Sequence, residues 1–216
     1  MGGEMSYRYL DANGPAAAPF RYELTTTTYI IYAPPGSLAV TIYSRTTGAP
    51  LSTVIMRNPT SSPATTHSGP AGCAVIGPSQ RFVINKFVGV VELPMSSDGY
   101  YAVTSQAARN ATTNLFRSDS ESLILYVSMT PPLIPNHSPV FSDTAVAIVC
   151  QNDTTITLNN AFDADGDRLT YAFGSPYGRL ANSGTTFPPL PNSMAYNAGY
   201  STAAPFGTGA GNFAIL

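Results

Sequence analysis

"PFRYELTTTTYIIY", residues 19–32, decides the fold, because Phe20, Tyr22 and Leu24 alternate with Arg21, Glu23 and Thr25. Successive side chains of an extended chain point to opposite faces, so this period of two predicts a strand with one apolar and one polar face. The same pattern, or a more uniformly apolar one, recurs at 37–44 ("SLAVTIYS"), 80–93 ("QRFVINKFVGVVEL"), 99–106 ("GYYAVTSQ"), 122–129 ("SLILYVSM"), 145–149 and 154–158. "MGGEMSYRYL" opens the chain with strand-like alternation as well. Turn-forming clusters separate these runs, and no helix longer than a turn or two is expected. "RNPTSSPATTHSGPAG", 57–72, is so rich in Pro, Ser and Gly that it reads as a surface loop without a strand. The expected fold class is all-β, as Ig-like β-sandwiches.

Composition agrees with that reading. Only 10% of the 216 residues are charged and the formal net charge is −2. Nothing here supplies the basic footprint that nucleic acid or an anionic lipid surface requires. No apolar run approaches the roughly 18 residues of a membrane span. The N-terminus lacks a charged stretch followed by an apolar one and is read as a mature or trimmed end, from which an export signal is already gone. Cys73 and Cys150 define neither a disulfide framework nor a zinc site, and are expected as buried small hydrophobes, with a bridge between the halves as the alternative.

The best boundary is "TPPLIPNHSPVF", 130–141, where four prolines remove backbone donors and fix φ. A first sandwich is therefore expected at 1–131 and a second, smaller one at 132–216, with the linker at about 130–138. The stretch from "GSPYGRL" to "GTGAG", 174–211, lacks sustained periodicity and is expected as a long loop or a loosely held edge.

"AFDADGDRLTYAF", 161–173, is the one cluster with metal-ligand chemistry. Alternate spacing puts Asp163, Asp165 and Asp167 on one side of an extended chain, and Gly166 permits a tight turn that gathers them. Calcium suits such a set, since it accepts roughly six to eight oxygen ligands in loose geometry, and no nearby His or Cys points to zinc. An EF-hand is excluded, because its sixth and twelfth positions would be Arg168 and Gly174. Asn136 and a linker carbonyl are the natural further ligands, which would make the ion a brace between domains. The alternative is a solvated Asx turn that only launches a strand at 168–173. Catalysis is disfavoured: a general acid–base pair needs two carboxylates in different environments, and no nucleophile elbow accompanies His67 or His137, both read as surface-loop histidines.

Thirteen tyrosines and ten phenylalanines invite a sugar-stacking role, but most occupy strand positions, where packing explains them. Tyr177, Tyr196 and Tyr200, in the irregular tail, are the glycan-binding candidates. Asn110, Asn136 and Asn152 open N-x-[ST] sequons.

Taken in order, "GGEMSYRYL", "YELTTTTY", "GYYAVTSQAARNATTNL" and "NHSPVFSD…CQNDTTITLNNAFDADGDRLTYAF" resemble the N-terminal region of large surface proteins of gliding bacteria. Those proteins are exported by the type IX route and are gliding-motility-associated or adhesin-like. The second half separately resembles dystroglycan-type cadherin and PKD-like repeats, with Asn136, Pro139, Asp163, Asp165, Asp167, Leu169 and Tyr171 at the positions of their linker and D-x-D-G-D-x-L-x-Y signature. Two departures stand out: Ala107 and Ala108 replace the paired cysteines of the family, and the chain stops after "NFAIL", where a repeat continues through two more strands. The resemblance implies a secreted, cell-surface, non-enzymatic structural or adhesive protein. "DTA" and "DTT" then look like O-glycosylation sites at Thr144 and Thr154. An incomplete sandwich exposes unpaired edges, so self-association into a fibre by head-to-tail strand addition is the expected partnership, with residues 1–10 as a donor strand. A carbohydrate-binding or enzyme-associated module is the alternative, with glycans or other surface proteins as partners.

Overall fold

The computed structural model describes residues 2–31, 35–65, 81–107, 109–142, 160–178 and 191–209. Its secondary structure is almost wholly β, with antiparallel sheets in a sandwich-like arrangement. The decisive alternation at 19–32 becomes β2 (Phe20–Ile30), flanked by β1 (Gly2–Asp11) and β6 (Arg81–Leu93), with β5 (Thr60–Thr65) beyond β6. The second sheet has the order β4 (Pro50–Arg57), β3 (Ser37–Ser44), β7 (Tyr100–Gln106), β8 (Leu123–Met129). A two-stranded ladder joins β9 (Val140–Phe141) to β10 (Ala161–Phe162), and a 3₁₀ turn spans Ser118–Ser120.

The inward row of β2 is Tyr22, Leu24, Thr26 and Thr28, all buried, so the four consecutive threonines continue the period of two. Opposite them β3 contributes Leu38, Val40 and Ile42, β7 contributes Tyr100 and Ala102, and β8 contributes Val127 and Met129. Phe87, Val91 and Leu93 of β6 complete the core with Met56 of β4 and Tyr7 of β1. Each large apolar side chain buried in this way contributes roughly 1.5–3 kcal/mol. Gly89 lets β4 approach β6: a Cβ there would lie 2.8 Å from Val54 Cγ1 and 3.0 Å from Met56 Cγ.

β7 reads as uniformly apolar because both of its faces are covered. Tyr101 and Val103 point away from the core into a second cluster with Tyr43 and Ile124, against which Tyr126 and Tyr177 pack. Tyr43 and Tyr101 stack at 5.0 Å and 13°, and Tyr126 meets Tyr177 edge-on at 5.8 Å. The tail that carries Tyr177 is thereby held on the outer face of the second sheet. Its backbone also meets the β7–β8 connection: Phe116 N donates to Ala195 O (2.9 Å) and Asn197 N to Asn114 O (3.0 Å).

Three expectations need correction. The stretch 57–72 contains a strand after all, since β5 pairs with β6 through residue pairs such as Pro63↔Val83. Proline is tolerated there because an edge strand needs donors on one side only. The segment 168–173 is exposed over most of its length and forms no ladder with any described residue. The N-terminal segment, expected as a donor strand, is paired within its own chain, from Gly2↔Tyr29 to Asp11↔Arg21. The strands expected at 145–149 and 154–158, and both cysteines, lie outside the described residues.

Candidate functional site

Four prolines within 130–139 interrupt regular structure, so the polar groups of this linker must find partners elsewhere. They find them on β1. Tyr7 N donates to Ser138 Oγ (2.8 Å), and Ser138 N donates back to Tyr7 O (3.0 Å). Both residues are buried, at 5% and 9% exposure. Arg8 and His137 form an antiparallel bridge one step along. The Tyr7 hydroxyl accepts from Thr130 N (3.3 Å) and from Asn136 Nδ2 (3.4 Å), while Thr130 Oγ1 donates to Ile134 O (2.9 Å). A single β1 residue thus fastens both ends of the linker.

From the other side comes the aspartate turn. Asp163 is buried and its Oδ1 accepts from Asp165 N (2.9 Å) and Asp167 N (3.1 Å), which closes an Asx-type turn. Gly166, at φ +79°, takes the left-handed position that this turn needs. Asp165 is turned outward onto the linker: Oδ2 accepts from His137 N (2.6 Å), and both oxygens lie 2.9–3.1 Å from His137 Nδ1. A carboxylate only accepts, so Nδ1 carries the proton. The His137 backbone N–H, first, and its imidazole hold the Asp165 carboxyl below its ordinary range.

Between the linker and the outer face of the first sheet runs a groove of about 360 Å³, walled by Glu4, Arg8, Glu23 and Lys86 on one side and Val140 and Phe162 on the other. Arg8 pairs with Glu23 at 3.2 Å in a largely exposed contact, worth little to stability. Burial raises the Glu4 carboxyl, and the bond from Tyr29 OH (3.1 Å) opposes that shift.

Three of the four residues proposed for calcium, Asp163, Asp165 and Asn136, have polar side-chain atoms bonded to other partners. Asp163 Oδ1 accepts from backbone N–H groups, Asp165 accepts from His137, and Asn136 Nδ2 donates to the Tyr7 hydroxyl. Among the described residues no group of three or more His, Cys, Asp or Glu side chains is arranged to hold a metal ion. Of the glycan-binding candidates, Tyr177 spends its ring on Tyr126, Tyr196 bridges Leu115, and Tyr200 closes a turn on Asn197. Asn110 is exposed, with the Thr112 hydroxyl of its sequon bonded to Ser118 Oγ (3.1 Å). Asn136 is half-buried, and Asn152, Thr144 and Thr154 lie outside the described residues.

Sequence reasoning missed Tyr7, Ser138 and Thr130, and it placed His137 on a free surface loop. The partners lie far apart along the chain, and nothing local to "NHSP" announces them; only the adjacency of His137 to the linker Asn136 marks the spot. No protein-family model matches the chain, and neither a curated protein nor a solved structure matches it.

Proposed function

We propose that this chain is a non-enzymatic structural or adhesive module of a bacterial cell surface, with two units divided at about 130–138, whose copies associate into a fibre. The observation that carries the reading is the junction. Orientation or load passed along a tandem array must cross the linker, and here the linker is fastened to β1 by Ser138 and His137 and to the aspartate turn by His137. Buried reciprocal hydrogen bonds of this kind resist swinging about a chain segment that prolines alone would only stiffen. The threonine-rich strands, the low charge and the resemblance to surface proteins of gliding bacteria support the same reading. Calcium belongs to this proposal as a second brace, drawing on the Asp165 carboxylate that His137 also contacts.

Labelling of intact source cells with an antibody against the chain tests the reading. Surface label on fibres, with attachment lost in cells lacking the chain, is the expected result. Label confined to the cell interior, or turnover of a glycan or peptide by the purified chain, would overturn it.

A further inference from the structure

Among the described residues the two sheets end in four edge strands, and three of them offer a partner strand less than the fourth. The outer edge of β1 is occupied at Tyr7 and Arg8 by Ser138 and His137. β5 is only six residues long and carries Pro63, which has no N–H to offer. β8 has Leu123, Ile124, Leu125, Val127 and Met129 all buried. β4 is different. Among the described residues it pairs with β3 alone, and of its residues only Met56 is buried. From Leu51 to Arg57 it contains no proline and no lysine, and its one charge stands at the end. An edge strand of this length without protective residues presents a row of outward N–H and C=O groups that only another strand matches in geometry.

The side chains specify which strand. Ser52, Val54 and Met56 turn toward the core, so Leu51, Thr53 and Ile55 face outward, and Leu51 and Ile55 are 41% and 48% exposed. Two copies of β4 laid antiparallel about a two-fold axis through Thr53 put Leu51 of one copy opposite Ile55 of the other, and this occurs twice. Moving the axis by one residue to Val54 instead sets Leu51 against Arg57. We infer that the outer edge of β4 is a self-association site for a second copy of this chain, in the register that centres on Thr53 and joins two four-stranded sheets into one. This gives a surface to the assembly reading above, on which it rests. A two-fold contact closes on itself, so it makes a dimer, and growth of a fibre from that dimer uses a different surface.

The test is sedimentation velocity of the full chain across a concentration series, with Thr53→Lys beside it. Thr53 is an outward residue whose one side-chain bond is an exposed contact with Thr41 Oγ1 (3.1 Å), so the variant leaves the core intact, which a matched thermal melt checks. Lysines directly opposed across the axis repel, and association is expected to weaken at least about tenfold. Oxidised Thr53→Cys is expected to yield a dimer in which mass spectrometry finds residue 53 linked to residue 53, because directly opposed residues lie within disulfide reach. Association of Thr53→Lys equal to that of the unaltered chain, or Thr53→Cys that yields no 53–53 link, would overturn the β4 site while leaving assembly through another surface standing. A chain that stays monomeric at every concentration would overturn the assembly reading as well.

Discussion

Replacing Ser138 with Ala removes one oxygen from the junction, and its cost can be worked from the geometry. The backbone bond from Ser138 N to Tyr7 O (3.0 Å) survives, but Tyr7 N loses its 2.8 Å acceptor at a site only 5% exposed. A buried N–H left without a partner costs about 1–3 kcal/mol, whereas losing the second, 3.3 Å bond from Ser138 Oγ to Tyr7 O leaves a carbonyl that still has one donor. A destabilisation of about 2 kcal/mol corresponds to a fall in Tm of roughly 4–8 °C for a chain of this size. Ser138→Thr keeps the Oγ and recovers most of the loss. Amide hydrogen exchange at Tyr7 supplies the local readout: its protection falls in Ser138→Ala before that of Leu24 or Phe87 in the core. A melt within about 0.5 kcal/mol of the unaltered chain, with Tyr7 still protected, would show that the linker is not fastened to β1 in this way.

Two neighbouring tyrosines, their rings 6.0 Å apart, respond oppositely to one substitution. Tyr22 OH is buried with no hydrogen-bond partner among the described residues and Tyr100 OH donates to Pro94 O, so urea titration finds Tyr22→Phe neutral or up to about 1 kcal/mol more stable and Tyr100→Phe about 1 kcal/mol less stable; equal losses in both would refute the assignment. Because the folded-state carboxyl of Asp165 is depressed, its contribution is complete above the ordinary carboxylate range and disappears as pH falls through the folded value. Asp165→Asn therefore lowers Tm at neutral pH and flattens its acid limb, and parallel Tm–pH curves for the two proteins would contradict the His137 contact. Calcium and His137 draw on the same carboxylate, so the calcium proposal predicts that chelation lowers Tm and that His137→Ala keeps or enlarges the effect. Identical melts with and without chelator remove calcium from the account.

What was legible in the sequence was whatever local alternation encodes. β2 announces itself because its two faces meet different surroundings, and β7 reads as continuously apolar because Tyr100 and Ala102 enter one cluster while Tyr101 and Val103 enter another. β5 was hidden by Pro63, whose effect depends on which side of a strand is paired, a tertiary property. The aspartate turn could be read from Asp163 and Gly166, since an Asx turn closes within a few residues. The use made of Asp165 could not, because its partner is 28 residues away, and Ser138 meets Tyr7 across 131 residues. Side chains in a proline-rich linker have no periodicity that points toward a partner strand.

If the chain is the self-associating structural module proposed, the purified full chain assembles as its concentration rises, and electron microscopy reads this out. Paired particles that extend into end-to-end oligomers or filaments are the predicted result, and single, monodisperse particles at every concentration would contradict it.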